Sequence, residues 1–306
     1  MANTNKIILV ATDFLEQSRH ALEYAVVFAK MTQSQILLLH SIEDVNPIFQ
    51  VFISVEEKKK IEDACLQKLN EIADKYNEVD INCRLEYGKA YEKIISVSDE
   101  IFPRFIFMGR TEMPDIQRSF MGSNTTHVVR NSKFPVITLK GKNPIPLVEQ
   151  IEKKILLPLD LTKENREQLT AAIEFGKIFD AEIQLISILD ENSISKEIQL
   201  LKKLNKASTI LTDAGVVCKC EIVKETEKAI HQTIVDFSVQ NNSMMIIIMT
   251  QAEEGLVKFF IGSTAQEVVN LSEKPVMSLI PWDYYSEKTI FSSFIDPLGL
   301  FDEKDN

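Results

Sequence analysis

The sequence predicts an α/β protein of two tandem domains, each a five-stranded, mostly parallel sheet with helices on both faces. Three observations predict it. The chain is written twice: Lys6–Asp13 (Lys-Ile-Ile-Leu-Val-Ala-Thr-Asp) returns as Lys153–Asp160 (Lys-Lys-Ile-Leu-Leu-Pro-Leu-Asp), and Phe120-Met121-Gly122-Ser123 returns as Phe260-Ile261-Gly262-Ser263. A repeat of about 145 residues is the size of one domain with its own core. Within each copy, short β-branched runs alternate with long amphipathic stretches, the pattern of βα units. Several runs, such as Ile36–Leu39 and Met244–Met249, are apolar without alternation, which suits a parallel sheet buried on both faces.

The first strand is expected at Lys6–Ala11, followed by a helix over Ser18–Thr32. Its cap is expected from Asp13 or Ser18, because Leu15 stands where the second copy has Thr162. A second strand follows at Gln35–His40. The apolar connection Asn46–Phe52 has no counterpart in the second copy; it either packs under the next helix or presents a surface to a partner or ligand. A helix over Val55–Tyr76 carries the charge run Glu56–Lys60, which reads as a solvated face. Strands at Ile81–Tyr87, Phe105–Gly109 and Val136–Lys140 complete the first domain. The turn residues Gly141–Pro146 place the boundary, giving domains at 1–143 and 150–281. The second copy is expected to have strands at Lys154–Leu159, Glu182–Ile188, Val216–Val223, Met244–Met249 and Val276–Ile280, with a helix over Lys163–Phe179 capped by Thr162. The aromatic, acidic tail 282–306 lies beyond the repeat, and Trp282, Tyr284, Tyr285, Phe291 and Phe294 argue that it docks on the body or on a second subunit.

Charge and composition exclude several functions. Lys and Arg total 34 against 45 Asp and Glu, a net charge of −11 with no basic stripe, which opposes a nucleic-acid partner. No apolar run approaches the roughly 18–20 residues of a membrane span. The Met-Ala-Asn-Thr-Asn start has no basic and apolar leader, so a cytoplasmic location is expected. Cys65, Cys83, Cys218 and Cys220 lack zinc-ribbon spacing, and Cys218-x-Cys220 puts both thiols on one face of a strand without geometry for a mutual disulfide. Reduced structural thiols are expected. His20, His40, His127 and His231 are dispersed, so no metal site is expected. Neither a P-loop nor a Gly-x-Ser-x-Gly elbow occurs, and no nucleophile is paired with a base. A conventional enzyme is not expected.

Parallel α/β sheets bind ligands at the carboxyl ends of their strands, where helix N-termini attract phosphate. Three segments of the first copy reach that edge: Ala11-Thr12-Asp13, Met108–Glu112, and Gly122-Ser123-Asn124. Gly109 and Gly122 permit close backbone approach, Ser123 and Asn124 offer amides and side chains to phosphate oxygens, and Asp13 suits a ribose hydroxyl or a nearby magnesium ion.

The order of elements, the aspartate ending strand one, and Gly109-x2-Glu112-x9-Gly122-Ser123 resemble the universal stress protein family, whose nucleotide-binding members carry Gly-x2-Gly-x9-Gly-Ser/Thr. The resemblance covers residues about 4–141 and 152–281, and implies a fold of the adenine nucleotide alpha hydrolase kind with strand order 3-2-1-4-5 in each half. It also implies ATP with magnesium as ligand, lined by Thr12, Asp13, Ser41, Gly109, Gly122, Ser123 and Asn124. Glu112 departs from the pattern. A carboxylate there costs about 1–4 kcal/mol against a phosphate at roughly 4 Å, unless a metal or Arg110 offsets it. In the second copy Asp160 and Gly262-Ser263-Thr264 remain, but Met249-Thr250-Gln251 has no glycine and Glu253-Glu254 precede Gly255, so this half reads as the weaker site or as structural. Members of the family dimerise through the last strand; by that resemblance Val136–Lys140 and Val276–Ile280 are expected to pair within the chain as a pseudo-dimer, with a homodimer as the alternative. The expected function is stress-response binding or signalling with an adenine nucleotide in the first domain. The alternative is a scaffold of the same fold whose degenerate sites are empty and which recruits a protein partner. Slow nucleotide hydrolysis would rest on Asp13 and Glu112 alone.

Overall fold

Strands buried on both faces account for the apolar runs. A computed structural model describes residues 6–43, 54–110, 122–140, 153–160, 166–189, 194–224, 228–250 and 263–280. The expectations for Asn46–Phe52, Glu112, the linker, Thr162, Gly262 and the tail lie outside these residues. The chain divides between Asn143 and Pro144 into two compact units.

In the first unit, β1 (Ile7–Ala11), β2 (Gln35–Ile42), β3 (Ile81–Tyr87), β4 (Phe105–Arg110) and β5 (Val136–Lys140) run parallel in the order β3-β2-β1-β4-β5. Ile8, Leu9 and Val10 of the central strand are fully buried, so side chains pointing to both faces leave water. By the right-handed rule for parallel crossovers, α1 (Glu16–Thr32) and α2 (Val55–Ala73) share one face and α3 (Ala90–Ile101) and α4 (Ser123–Asn131) the other; these last two pack together. The α1 stripe Ala21, Leu22, Ala25, Phe28 and Ala29 follows helical spacing and is buried. Phe28 meets Phe105 and Phe107 of β4 edge-on, with centroids 6.3 and 5.1 Å away.

Local chemistry set the boundaries that the pattern missed. Leu15 is the N-cap of α1 and no side chain caps it, so the cap expected from Asp13 or Ser18 is not formed. Ser54 and Glu57 form a capping box that starts α2, and Glu56–Lys60 are exposed as expected. This helix stops at Ala73 rather than Tyr76 because the Lys75 and Tyr76 amides close tight bonds three residues back, to Ile72 and Ala73.

The second unit repeats the plan. Its strands β6 (Lys154–Pro158), β7 (Glu182–Leu189), β8 (Cys218–Lys224), β9 (Met245–Met249) and β10 (Val276–Leu279) are parallel in the order β8-β7-β6-β9-β10. The helices are α5 (Arg166–Phe179), α6 (Ile194–Asp213), α7 (Ile230–Gln240) and α8 (Ser263–Leu271). The repeat extends to backbone detail. Gln33 and Asp180 follow α1 and α5 at φ 50, and Phe102 and Asn242 close the third helix of each unit at φ 50 and 51. Ser132 and Ser272 each bind the amide and carbonyl two residues on, ahead of the last strand. Expected to begin at Val216, β8 begins at Cys218, because Val216 donates its amide to Leu211 and is held at the end of α6 behind Gly215, whose φ is 82.

Candidate functional site

The turn after β1 is built from its own side chains. The Thr12 carbonyl accepts from His40 Nδ1 at 2.8 Å; a carbonyl cannot donate, so this nitrogen carries the proton. Thr12 Oγ1 accepts from the Phe14 amide at 3.1 Å and lies 3.1 Å from Ser18 Oγ. Ser18 spends its one hydroxyl proton on the Leu15 carbonyl at 2.9 Å, so Thr12 donates to Ser18. These bonds hold Phe14 at φ 66, a left-handed conformation uncommon for a bulky residue, with its ring 4.2 Å from that of His40. Asp13 is exposed, and its Oδ1 accepts from the Leu15 amide at 3.0 Å.

After β2, Ser41 donates to the Gly88 carbonyl at 2.7 Å, while the Gly88 amide returns a bond to Ile42 at 3.0 Å. Glu43 accepts from the Ala90 amide at 2.8 Å. That carboxylate satisfies a first-turn donor of α3, whose own N-cap Lys89 has no side-chain capping bond.

The two glycines have different reasons to be glycine. A Cβ on Gly109 would lie 2.4 Å from the Gln17 carbonyl carbon, 2.5 Å from its oxygen and 2.6 Å from Ser18 N. Close packing of β4 under the first turn of α1 therefore accounts for Gly109. A Cβ on Gly122 meets no described atom within 4 Å, and Gly122 has φ −52, open to any residue. Gly122 is the N-cap of α4 and has no side chain to cap it, and among the described residues no side-chain cap is formed there; Ser123 is exposed and Asn124 half-buried. Since α4 follows β4 and leads to the start of β5, its uncapped first turn lies at the carboxyl edge of the sheet, the edge that also carries Thr12, Asp13 and Ser41. Uncapped amides and the positive end of the helix dipole suit an anion.

The second unit keeps the frame and changes the groups. Strand register equates Thr12 with Leu159, His40 with Ser187, Ser41 with Ile188 and Gly109 with Met249. Ser187 donates to the Leu159 carbonyl at 3.2 Å, as His40 does to Thr12. Leu159 is buried, and Thr250 gives its hydroxyl to the Leu279 carbonyl at 2.7 Å. The hydroxyls of Thr12 and Ser41 thus have no equivalent, although Asp160 is exposed and α8 opens at Ser263.

The model of the universal stress protein family matches residues 4–140 and 152–279, one copy in each unit. The chain belongs to the universal stress protein family. A universal stress protein of Methanocaldococcus jannaschii is 26% identical over 156 residues, covering 45% of this chain and 96% of the relative. A solved universal stress protein of Archaeoglobus fulgidus spans both copies, with TM-score 0.69 and 20% identity over 90% of this chain and 99% of its own. A solved protein of Pseudomonas aeruginosa aligns with TM-score 0.65 and 20% identity over 92% and 95% of the two chains. At these identities the solved structures show a shared tandem fold. Within this family member, the structure brings Thr12, Asp13, Ser41, Gly122, Ser123 and Asn124 to one edge of the first copy and places Gly109 beneath it. Sequence reading missed Glu43, Phe14 and the role of His40. Alignment of the two copies held one signal: His40 and Ser187 are polar residues at equivalent positions, each following an apolar residue of its strand.

Proposed function

We propose that the first copy binds an adenine nucleotide, and that it is a nucleotide-responsive binding module rather than a conventional enzyme. The uncapped first turn of α4, beside an open Gly122, carries the reading. Its amides suit phosphates, and the second oxygen of Asp13 suits a ribose hydroxyl, which supports the reading. Among the described residues no three His, Cys, Asp or Glu side chains cluster, so a magnesium ion would arrive on the phosphates rather than in a protein cage. The second copy, with Leu159, Ile188 and Met249 at the corresponding edge, is read as structural.

A second reading, a scaffold with empty sites, is favoured by the internal use of the Thr12 and Ser41 hydroxyls. Calorimetric titration of the full chain with ATP at fixed magnesium separates the two. Binding by the parent that Gly122→Val abolishes supports the nucleotide module; no heat from either protein supports the scaffold.

A further inference from the structure

Cys218 and Cys220 lie on β8, the outer strand of the second unit's sheet, and their sulfurs are 4.0 Å apart. Both turn toward α6: Cys220 Sγ is 3.9 Å from the Leu204 carbonyl, and the Ser208 hydroxyl bonds the Cys218 thiol. Cys218 is half-buried and Cys220 exposed. Residues two apart on a strand have parallel Cα–Cβ bonds about 6.6 Å apart, whereas a disulfide needs Cβ atoms about 3.5–4.5 Å apart. The pair is therefore poorly placed to oxidise onto itself. It is well placed to bridge a third atom: an ion about 2.3 Å from each sulfur, at this separation, makes an S–metal–S angle of about 120°. The angle is that of trigonal coordination.

We propose that Cys218 and Cys220 form a two-thiolate site for a soft, closed-shell metal ion of the zinc, cadmium or monovalent copper class. On binding, each S–H bond is exchanged for a sulfur–metal bond and two protons pass to solvent. Among the described residues no third His, Cys, Asp or Glu joins the pair, so the remaining positions fall to water, the Ser208 hydroxyl or the Leu204 carbonyl. Structural zinc sites are closed by four protein ligands; this one is open and suits reversible loading. The site belongs to one copy, because the first unit has Ile81 and Cys83 in the corresponding register.

The test is titration of the reduced full chain with cadmium ion alone, followed by the ultraviolet thiolate-to-metal charge-transfer absorbance and by proton release. One ion per chain is expected. Cys218→Ser or Cys220→Ser should each weaken uptake at least about tenfold, while the Cys65→Ser/Cys83→Ser double variant should bind as the parent does. Parent-like uptake by either single variant, loss of uptake in the double variant, or no uptake by the parent would overturn the proposal. Should the single variants not fold, mass spectrometry of the alkylated parent decides: cadmium must shield Cys218 and Cys220 and leave Cys65 and Cys83 as reactive as before.

Discussion

Replacing Gly109 and Gly122 separately by alanine should have unequal consequences, although both belong to one glycine signature. At Gly109 the new methyl would lie 2.4–2.6 Å from three backbone atoms of Gln17 and Ser18, distances that Cβ atoms essentially never show. Backbone cannot rotate away as a flexible side chain can, so the first turn of α1 must shift, and with it the Thr12–Ser18 and Ser18–Leu15 bonds. Overpacking of this kind costs about 1–3 kcal/mol. At Gly122 the methyl meets no described atom within 4 Å, and φ −52 suits alanine. The reduced freedom of the unfolded chain, about 0.4–1 kcal/mol, is offset by the poorer fit of alanine at an N-cap, so the net change should be small. Chemical denaturation of the full chain should show the Gly109→Ala transition at lower denaturant than the parent and that of Gly122→Ala close to the parent's. Hydrogen exchange should quicken in α1 of the first variant alone. Equal stability of Gly109→Ala and the parent, or a larger loss at Gly122 than at Gly109, would refute the division of labour between the two glycines.

The remaining predictions concern binding, capping and pH. Gly122→Val should abolish ATP binding in calorimetry while circular dichroism stays native, because its bulk enters the space before α4. If Glu112 opposes phosphate, as the family pattern implies, Glu112→Gly should tighten binding about tenfold, the equivalent of about 1.4 kcal/mol; unchanged affinity would mean that Glu112 does not oppose the nucleotide. Ser54→Ala, which removes one side of the capping box on α2, should cost about 1 kcal/mol in denaturation, and no loss would show the cap to be idle. The two Arg84 bonds of 2.8 Å hold the Glu100 carboxyl below the usual range, so the pair stabilises the fold above the ordinary carboxylate pKa and its contribution fades as pH falls through the lowered value. A titration of Glu100 by NMR should show the depression, and Arg84→Gln should remove it.

Much of this architecture was legible in residue order. Ile81–Tyr87 and Val136–Lys140 have the boundaries expected of them: the second is an apolar run flanked by breakers, which fixes where a buried parallel strand fits, and the first alternates polar and apolar residues as an outer strand does. The aspartate after strand one and the glycine–serine opening of α4 were visible because covalent order and the repeat placed them at corresponding strand and helix ends in both copies. Sequence alone thus determined the tandem plan and which segments reach the carboxyl edge. It did not determine what each side chain does there. Gly109 looked like a residue for close ligand approach; its neighbour is the backbone of Gln17 and Ser18, a contact made only when α1 folds back over β4. Asp13 and Ser18 looked like helix caps; they serve the turn that holds Phe14. Glu43 satisfies the amide of Ala90, and Cys218 and Cys220 meet under α6 with oxygen donors from that helix. The contacts of Gly109, Glu43 and Cys220 depend on distances of a few ångströms between segments apart in the chain, and the Asp13 and Ser18 bonds on the path the backbone takes through the turn. Hydrogen bonding and steric repulsion act over those distances, whereas the hydrophobic pattern that sequence reports carries only which face of an element is buried.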